Sequence, residues 1–327
     1  MDIKDHTMDS LVGVEIPVGN AGFVKLVDWM GGDKRVVEAA RQSYGSGTKI
    51  VRDDEALIDY LFRNQHVSPS EMPQITLSIK LPIFVMRQLV RHRAAHLNEM
   101  SLRYSEAFDE AFYPDAFRVN DKLNKQSSSV KDDDNFQFEA RELYNKTISY
   151  CKDTYDKLLK LGVAREQARM ILQVAEYTEV TWCIDLRNLL SFLNQRTREH
   201  AQLEMQDYAN VINQIVQKWT PVCHKAYMEY IRESMTLSRS EINLVAYLSK
   251  LDSNGLGSVL QYPEALSTIN ALKDMGIIGE EYNLYSKRTK TQDLLAKLDR
   301  LGLEGVLPWF LDEFKNLQQS ILESEDK

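Results

Sequence analysis

Residues 75–81, ITLSIKL, alternate strictly: Ile75, Leu77, Ile79 and Leu81 fall on one side of an extended chain, and Thr76, Ser78 and Lys80 on the other. A period of two predicts a half-buried β-strand, apolar face inward and polar face outward. Pro82 follows, and proline suits the first turn of a helix, so IFVMRQLVR, 83–91, is expected to be helical. On such a helix Gln88 and Arg91 lie three apart, and Arg87 and Arg91 four apart. The next stretch, RHRAAHLNEMSLRY at 91–104, then emerges at and beyond the helix end. Strand, proline and helix together deliver one basic, hydrogen-bond-rich segment to one place.

The rest of the chain alternates between the same two periods. GFVKLVDWM, 22–30, reads as an early strand, and helical spacing appears near 33–43 and 54–65. A long helical pattern covers about 137–161 and ends at Gly162; another covers 165–176. TEVTWCI, 178–184, is β-rich, and 186–218 is again mostly helical. Residues 120–135 contain KQSSSVKDDDN, which reads as an exposed, mobile insertion. After about 240 the chain becomes leucine-rich and helical, without the arginine–asparagine clustering of the earlier part. No internal repeat is evident. The expected layout is an α+β catalytic domain over 1–239 and a helical extension, 240–327, of unassigned role.

Composition narrows the chemistry. Of 327 residues, 43% are hydrophobic and 27% charged, as in soluble globular proteins. No run of eighteen apolar residues exists to span a membrane, and the polar N-terminus lacks a signal-peptide core. Cys151, Cys183 and Cys223 form no disulfide framework, which favours a reducing, cytoplasmic setting. A formal net charge of −8 argues against general nucleic-acid binding. Anion binding must then come from a local cluster. Arg87, Arg91, Arg93 and Arg103 stand within 87–103 against Glu99 alone.

Several familiar chemistries fail on spacing. His92 and His96 are four apart, but the HExxH order is absent, and Arg91 and Arg93 would repel a dication, so no metal is expected. Cys223 stands beside His224, yet neighbours on a helix begun by Pro221 do not face each other. Cys223 therefore reads as a buried structural thiol. Ser101 has no GxSxG elbow and reads as a hydroxyl that binds rather than attacks. Gly31–Gly32 and the SGS at 45–47 fit neither phosphate-loop spacing. A nucleotide would have to be held by side chains, a task suited to the planar, permanently charged arginine fork.

Arg91-His92-Arg93, then seven residues, then Ser101-x-Arg103-Tyr104 resembles the signature of the flavin-dependent thymidylate synthases, with Asn98 and Glu99 as the usual pair inside the motif. The flanks are similar too: LPIFVMRQ upstream, and HVSPSE at 66–71 where the family has HxSPFE. AREQAR at 164–169 and LRNLLSFLNQRTREHAQLEMQDYA at 186–209 resemble its second half. The resemblance runs over about residues 20–235. It implies a mixed β-sheet flanked by long helices, assembled as a homotetramer whose subunits share active sites. It further implies reductive methylation of dUMP, with methylenetetrahydrofolate as carbon donor and FAD passing reducing equivalents from NADPH.

By motif position the resemblance places Gln88, Leu89, Val90, Arg91, Glu99, Met100, Ser101, Leu102, Arg103, Arg169 and Arg196 at dUMP. Arg103 and Arg169 suit the phosphate, and Arg196 the uracil edge, where a fixed cation stabilises charge developing on the base. Ser68, Arg91, His92, Arg93, Ala94, Glu99, Asp185, Arg187 and Ser191 would line the flavin, and His66 would lie near both ligands. Arg196, Ser101 and His66 are the expected catalytic set. The chain departs from the family pattern at Asp185 (usually asparagine), Ser191 (asparagine or histidine), Ser70 (phenylalanine), Met72 (histidine) and His96 (serine). These departures bear on flavin affinity, and a non-catalytic flavin- or nucleotide-binding scaffold is the alternative.

Overall fold

The computed structural model describes residues 6–42, 53–120 and 128–239, together with Ile3, Lys297 and Arg300. The chain divides into two compact units, 1–234 and 235–327. The helical extension expected from 240 lies outside the described residues apart from Lys297 and Arg300.

The frame of the first unit is a five-stranded sheet in the order β1–β2–β3–β7–β4. The strands are β1 (Glu15–Val18), β2 (Gly22–Met30), β3 (Gln74–Pro82), β4 (His96–Glu99) and β7 (Tyr177–Asp185). All of its ladders are antiparallel, and the one parallel pairing among the described residues is the isolated bridge between Val12 and Leu26. The α+β class is as expected. The expected mixed sheet is corrected: its ladders are antiparallel throughout, and the parallel bridge is an isolated contact rather than a strand pairing.

Register explains the core. Ile75, Leu77 and Ile79 of β3 stand opposite Ile184, Trp182 and Val180 of β7, while Val24 and Leu26 of β2 face Ile79 and Leu77. All eight are buried to 2% exposure or less. Each such side chain contributes roughly 1.5–3 kcal/mol by leaving water. Against this face pack α2 (Asp33–Gln42), α3 (Asp54–Arg63), α4 (Ile83–Leu89), α7 (Leu186–Arg196), α8 (Leu203–Trp219) and α9 (Pro221–Tyr227). A short α1 (Met8–Leu11) adds the fully buried Leu11. Gly22 is glycine for a steric reason: a Cβ there would lie 1.9 Å from the Tyr208 hydroxyl, which donates to the Lys80 carbonyl at 2.9 Å.

Several sequence expectations differ from the structure. The polar face of β3 is not half open. Ser78 and Lys80 are buried because Glu179 accepts from Ser78 Oγ at 2.7 Å, and Phe108, Tyr177 and Glu110 enclose the Lys80 ammonium. Pro82 is the last residue of β3 and the N-cap of α4 rather than its first turn, and α4 stops at Leu89, so Arg91 stands beyond the helix. The helix expected over 165–176 is only α6 (Arg165–Ala168) with a 3-10 turn at Arg169–Ile171; the chain then extends toward β7. Within the expected insertion β6 (Ser128–Val130) pairs with β5 (Arg118–Asn120); residues 121–127 lie outside the described residues. The long helix α5 (Asp134–Lys160) begins earlier than its apolar pattern because Asp133 caps it, accepting from Phe136 N.

Candidate active site

The arginine-rich segment leaves α4 and becomes the edge strand β4, all four residues of which are exposed. Its backbone hands over to β7 and then continues, with Met100 N donating to the Glu179 carbonyl at 2.9 Å. The segment is therefore pinned to the sheet, while its side chains stand open.

Around this edge the expected residues form four groups. In the first, Arg196 Nε donates to His92 Nε2 at 3.1 Å. The His92 ring packs edge-on to Phe192, centroids 4.9 Å apart, and Phe192 packs on Trp182 at 5.2 Å. Burial, reinforced by the Arg196 charge, holds the His92 pKa down at about 4. His92 is thus neutral, with Nε2 as acceptor and its proton on Nδ1. Desolvation also lowers the Arg196 pKa, yet the group stays charged. The turn after α7 is tied down by Arg232, which donates to Thr197 Oγ1 and O, each at 3.1 Å.

In the second group, Arg93, Ala94 and Asp185 line one cavity of about 290 Å³ with Gln74, His96 and Cys183. Asp185 caps α7: Oδ1 accepts from Asn188 N at 3.0 Å and Oδ2 from Asn188 Nδ2 at 2.7 Å. Both carboxylate oxygens are thus engaged locally, which the flavin-facing expectation missed. Aspartate three residues before Asn188, at a strand-to-helix step, was the signal that could have revealed it. Arg187 is ion-paired with Glu71, and Ser191 is exposed on α7.

The third group gathers the expected phosphate ligands. Arg103 Nε donates to Glu166 at 3.1 Å, and Arg169 starts the turn directly after the helix that carries Glu166. Ser101 Oγ accepts from Arg103 N at 3.3 Å. Glu99 accepts from Thr178 Oγ1 at 2.8 Å. The fourth is Gln88, which donates to Gln202, a contact the motif did not foretell. The Leu89 side chain is 2% exposed in the core, so the part of this residue open to a ligand is its backbone. Val90, by contrast, is 43% exposed, whereas Met100 and Leu102 are half-buried.

His66 lies on the loop after α3, and Ser68 opens the 3-10 turn Ser68–Glu71 that leads to β3. His66 is exposed with its ring edge-on to Tyr60, and among the described residues no contact joins it to the arginine groups. Ser70 is buried and donates to the Val67 carbonyl at 2.5 Å, so the position fills its space with a hydrogen bond rather than an aromatic ring. Met72 is 46% exposed.

The decoys resolve structurally. His92 and His96 share no helix: one ends a turn, the other starts β4. Cys223 is fully buried on α9, its N–H donating to Asp33 at 2.9 Å, and burial together with Asp33 pushes its thiol pKa far up. No helix among the described residues is long and apolar enough to cross a membrane.

The site as a whole is an open, cationic sheet edge. Among the described residues Arg91, Arg93 and Arg169 have no ion-pair partner, so the edge has cationic capacity to spare for anionic ligands.

A sheet edge carrying this motif defines the class of protein. Residues 25–222 match the family model described as thymidylate synthase complementing protein, and the chain belongs to that family. It is 46% identical over 251 residues to a flavin-dependent thymidylate synthase of Thermus thermophilus, covering 74% of this chain and 91% of the relative. It is 41% identical over 259 residues to that of Anaplasma marginale, covering 77% and 89%. Among solved structures it resembles a UMP/dUMP methylase, PolB of Streptomyces cacaoi, bound with 5-Br UMP, at TM-score 0.59 and 31% identity, covering 66% of this chain and 98% of that one.

Proposed function

We propose that this chain is a flavin-dependent thymidylate synthase that methylates dUMP reductively, with methylenetetrahydrofolate as carbon donor and NADPH as reductant, in the cytoplasm. The observation that carries the reading is the Arg196–His92 pair set beside the arginine-rich edge. Arg196 is half-buried and fixed through Nε, and among the described residues its two terminal nitrogens have no partner, so both are open to a ligand. Placed at the uracil edge, it would stabilise negative charge on the ring and make the base reactive without a protein nucleophile. Arg103 and Arg169 would hold the phosphate, Ser101 a phosphate oxygen, and Gln88 and Glu99 the remaining polar edge of the nucleotide. Cys223 takes no part.

The residues present fit a bound FAD. Arg91 and Arg93, without ion-pair partners among the described residues, suit its pyrophosphate, and the cavity of Arg93, Ala94 and Asp185 suits a ring edge. Ser68, His92, Glu99, Arg187 and Ser191 complete the proposed lining, with His66 near both ligands. When bound, FAD supplies the hydride chemistry. The protein's own groups bind, orient and exclude water. Relatives named as enzymes leave the scaffold alternative without support.

A homotetramer is proposed as well. Four exposed residues on an edge strand, Leu97 among them, with Tyr104 and Met170 also exposed, support a site completed by neighbouring subunits.

The test is spectroscopic. Purified protein should show a flavin spectrum that bleaches anaerobically with NADPH, and flavin-loaded protein should convert dUMP to dTMP only with methylenetetrahydrofolate. Absence of flavin after added FAD would overturn the reading.

A further inference from the structure

Gln88, at the last turn of α4, is linked to residues far along the chain. Its Nε2 donates to Gln202 Oε1; Gln202 Nε2 donates to Glu204 Oε2 at 2.9 Å; Glu204 Oε1 accepts from Arg118 at 2.6 Å. Glu204 is 9% exposed, and the Arg118 and Glu204 side chains are 20% and 11% exposed, so the pair is largely withdrawn from water.

The chemistry of this relay has one direction. A carboxylate ion-paired to a guanidinium can only accept. Gln202 must therefore turn its NH2 to Glu204, which turns its carbonyl to Gln88. Gln88 must then give its NH2 to Gln202. Reversing either amide would set two oxygens against each other in a part-buried place, which is costly.

We propose that Arg118, Glu204 and Gln202 are positioning residues that fix the polarity of Gln88, so that Gln88 presents its carbonyl oxygen to the nucleotide and reads a hydrogen-bond donor there. This rests on the placement of Gln88 in the nucleotide site proposed above. An ionised phosphate offers acceptors only, so Gln88 does not serve it. The donors on dUMP are the imide N–H of the base and the sugar hydroxyl. The β5–β6 hairpin, which supplies Arg118, thereby belongs to the specificity apparatus.

The test uses the full-length, flavin-loaded protein. Glu204→Gln keeps the shape but admits both polarities. It should raise KM for dUMP about fivefold, the order of one neutral hydrogen bond, with kcat within about twofold. Gln88→Glu should lower Tm by about 3 °C, because a second acceptor meets the Gln202 carbonyl. Combined with Glu204→Gln, most of that loss should return, because the whole relay can reverse. Additive Tm losses would overturn the relay. Recovery of Tm with an unchanged KM in Glu204→Gln would uphold the relay and overturn its service to the nucleotide. The Tm cycle needs no turnover, so it reads the relay even where the proposed activity fails. A dUMP analogue without the 3′-hydroxyl, or one methylated at the imide nitrogen, should be indifferent to Glu204→Gln, and whichever is so identifies the donor. A penalty persisting with both overturns the donor assignment.

Discussion

Arg196 Nε lies 3.1 Å from His92 Nε2, joining the arginine-rich segment to the last turn of α7 across 104 residues of sequence. Because arginine can only donate, His92 must remain neutral for the pair to exist. The depressed pKa has a consequence for stability. The unfolded histidine takes up a proton near 6.5 and the folded one only near 4, so the stability it contributes is complete above 6.5 and is lost as pH falls toward 4. His92→Gln, which still accepts from Arg196, should flatten the dependence of Tm on pH across that window. An unaltered slope would show that other groups govern it.

Arg103 is held by Glu166 in an ion pair in which both side chains are more than half exposed. Such pairs contribute little to folding, below about 0.5 kcal/mol. Glu166 nevertheless competes with a phosphate for the same guanidinium. Glu166→Gln should therefore lower KM for dUMP two- to threefold, by about 0.5 kcal/mol, and leave Tm within error. Arg103→Ala should raise KM instead. Steady-state kinetics at low and high salt would check both, since the difference should shrink as salt screens the charges.

Asp185→Asn should tighten FAD. Asparagine remains an effective N-cap for α7, so stability should change by no more than about 0.5 kcal/mol. Its Nδ2 cannot accept from Asn188 as Oδ2 does now, and so becomes a donor available to the adjoining cavity. Flavin titration measures the dissociation constant directly, and an unchanged or weaker one would count against this assignment.

Cys223→Ala should lower stability by about 1 kcal/mol, for a lost buried sulfur. Turnover should stay within about twofold. The native thiol, buried and pushed up in pKa, should resist iodoacetamide in the folded protein. Loss of turnover in a folded Cys223→Ala variant would restore the cysteine to the mechanism.

The features legible in the sequence are those set by local periodicity. The alternation of 75–81 yielded β3, and the motif at 91–104 marked the segment that becomes the exposed, arginine-flanked edge strand β4. Residues whose roles arise from distant partners were not legible. Glu204 and Arg118 carry no local sign that they meet, and Ser78 and Lys80 look like surface residues until Glu179, Phe108 and Glu110 close over them. The helix expected over 165–176 fell short for the same reason: apolar spacing there suits a helix, but the Val174, Ala175 and Glu176 carbonyls accept from the backbone N–H groups of Phe84, Phe112 and Ile83, which hold that end extended. Tertiary hydrogen bonds there override a local preference.

Arg91, Arg93 and Arg169 belong to the motif groups and have no carboxylate partners among the described residues, so on the proposed function their counter-charges would be the nucleotide and the flavin. A protein so arranged would be stabilised by its own supply chain: every bound anion would add free energy in proportion to the logarithm of its concentration. Its resistance to proteases in a cell would then rise and fall with the nucleotide and flavin pools. Starvation for either would clear the empty protein sooner than the loaded one.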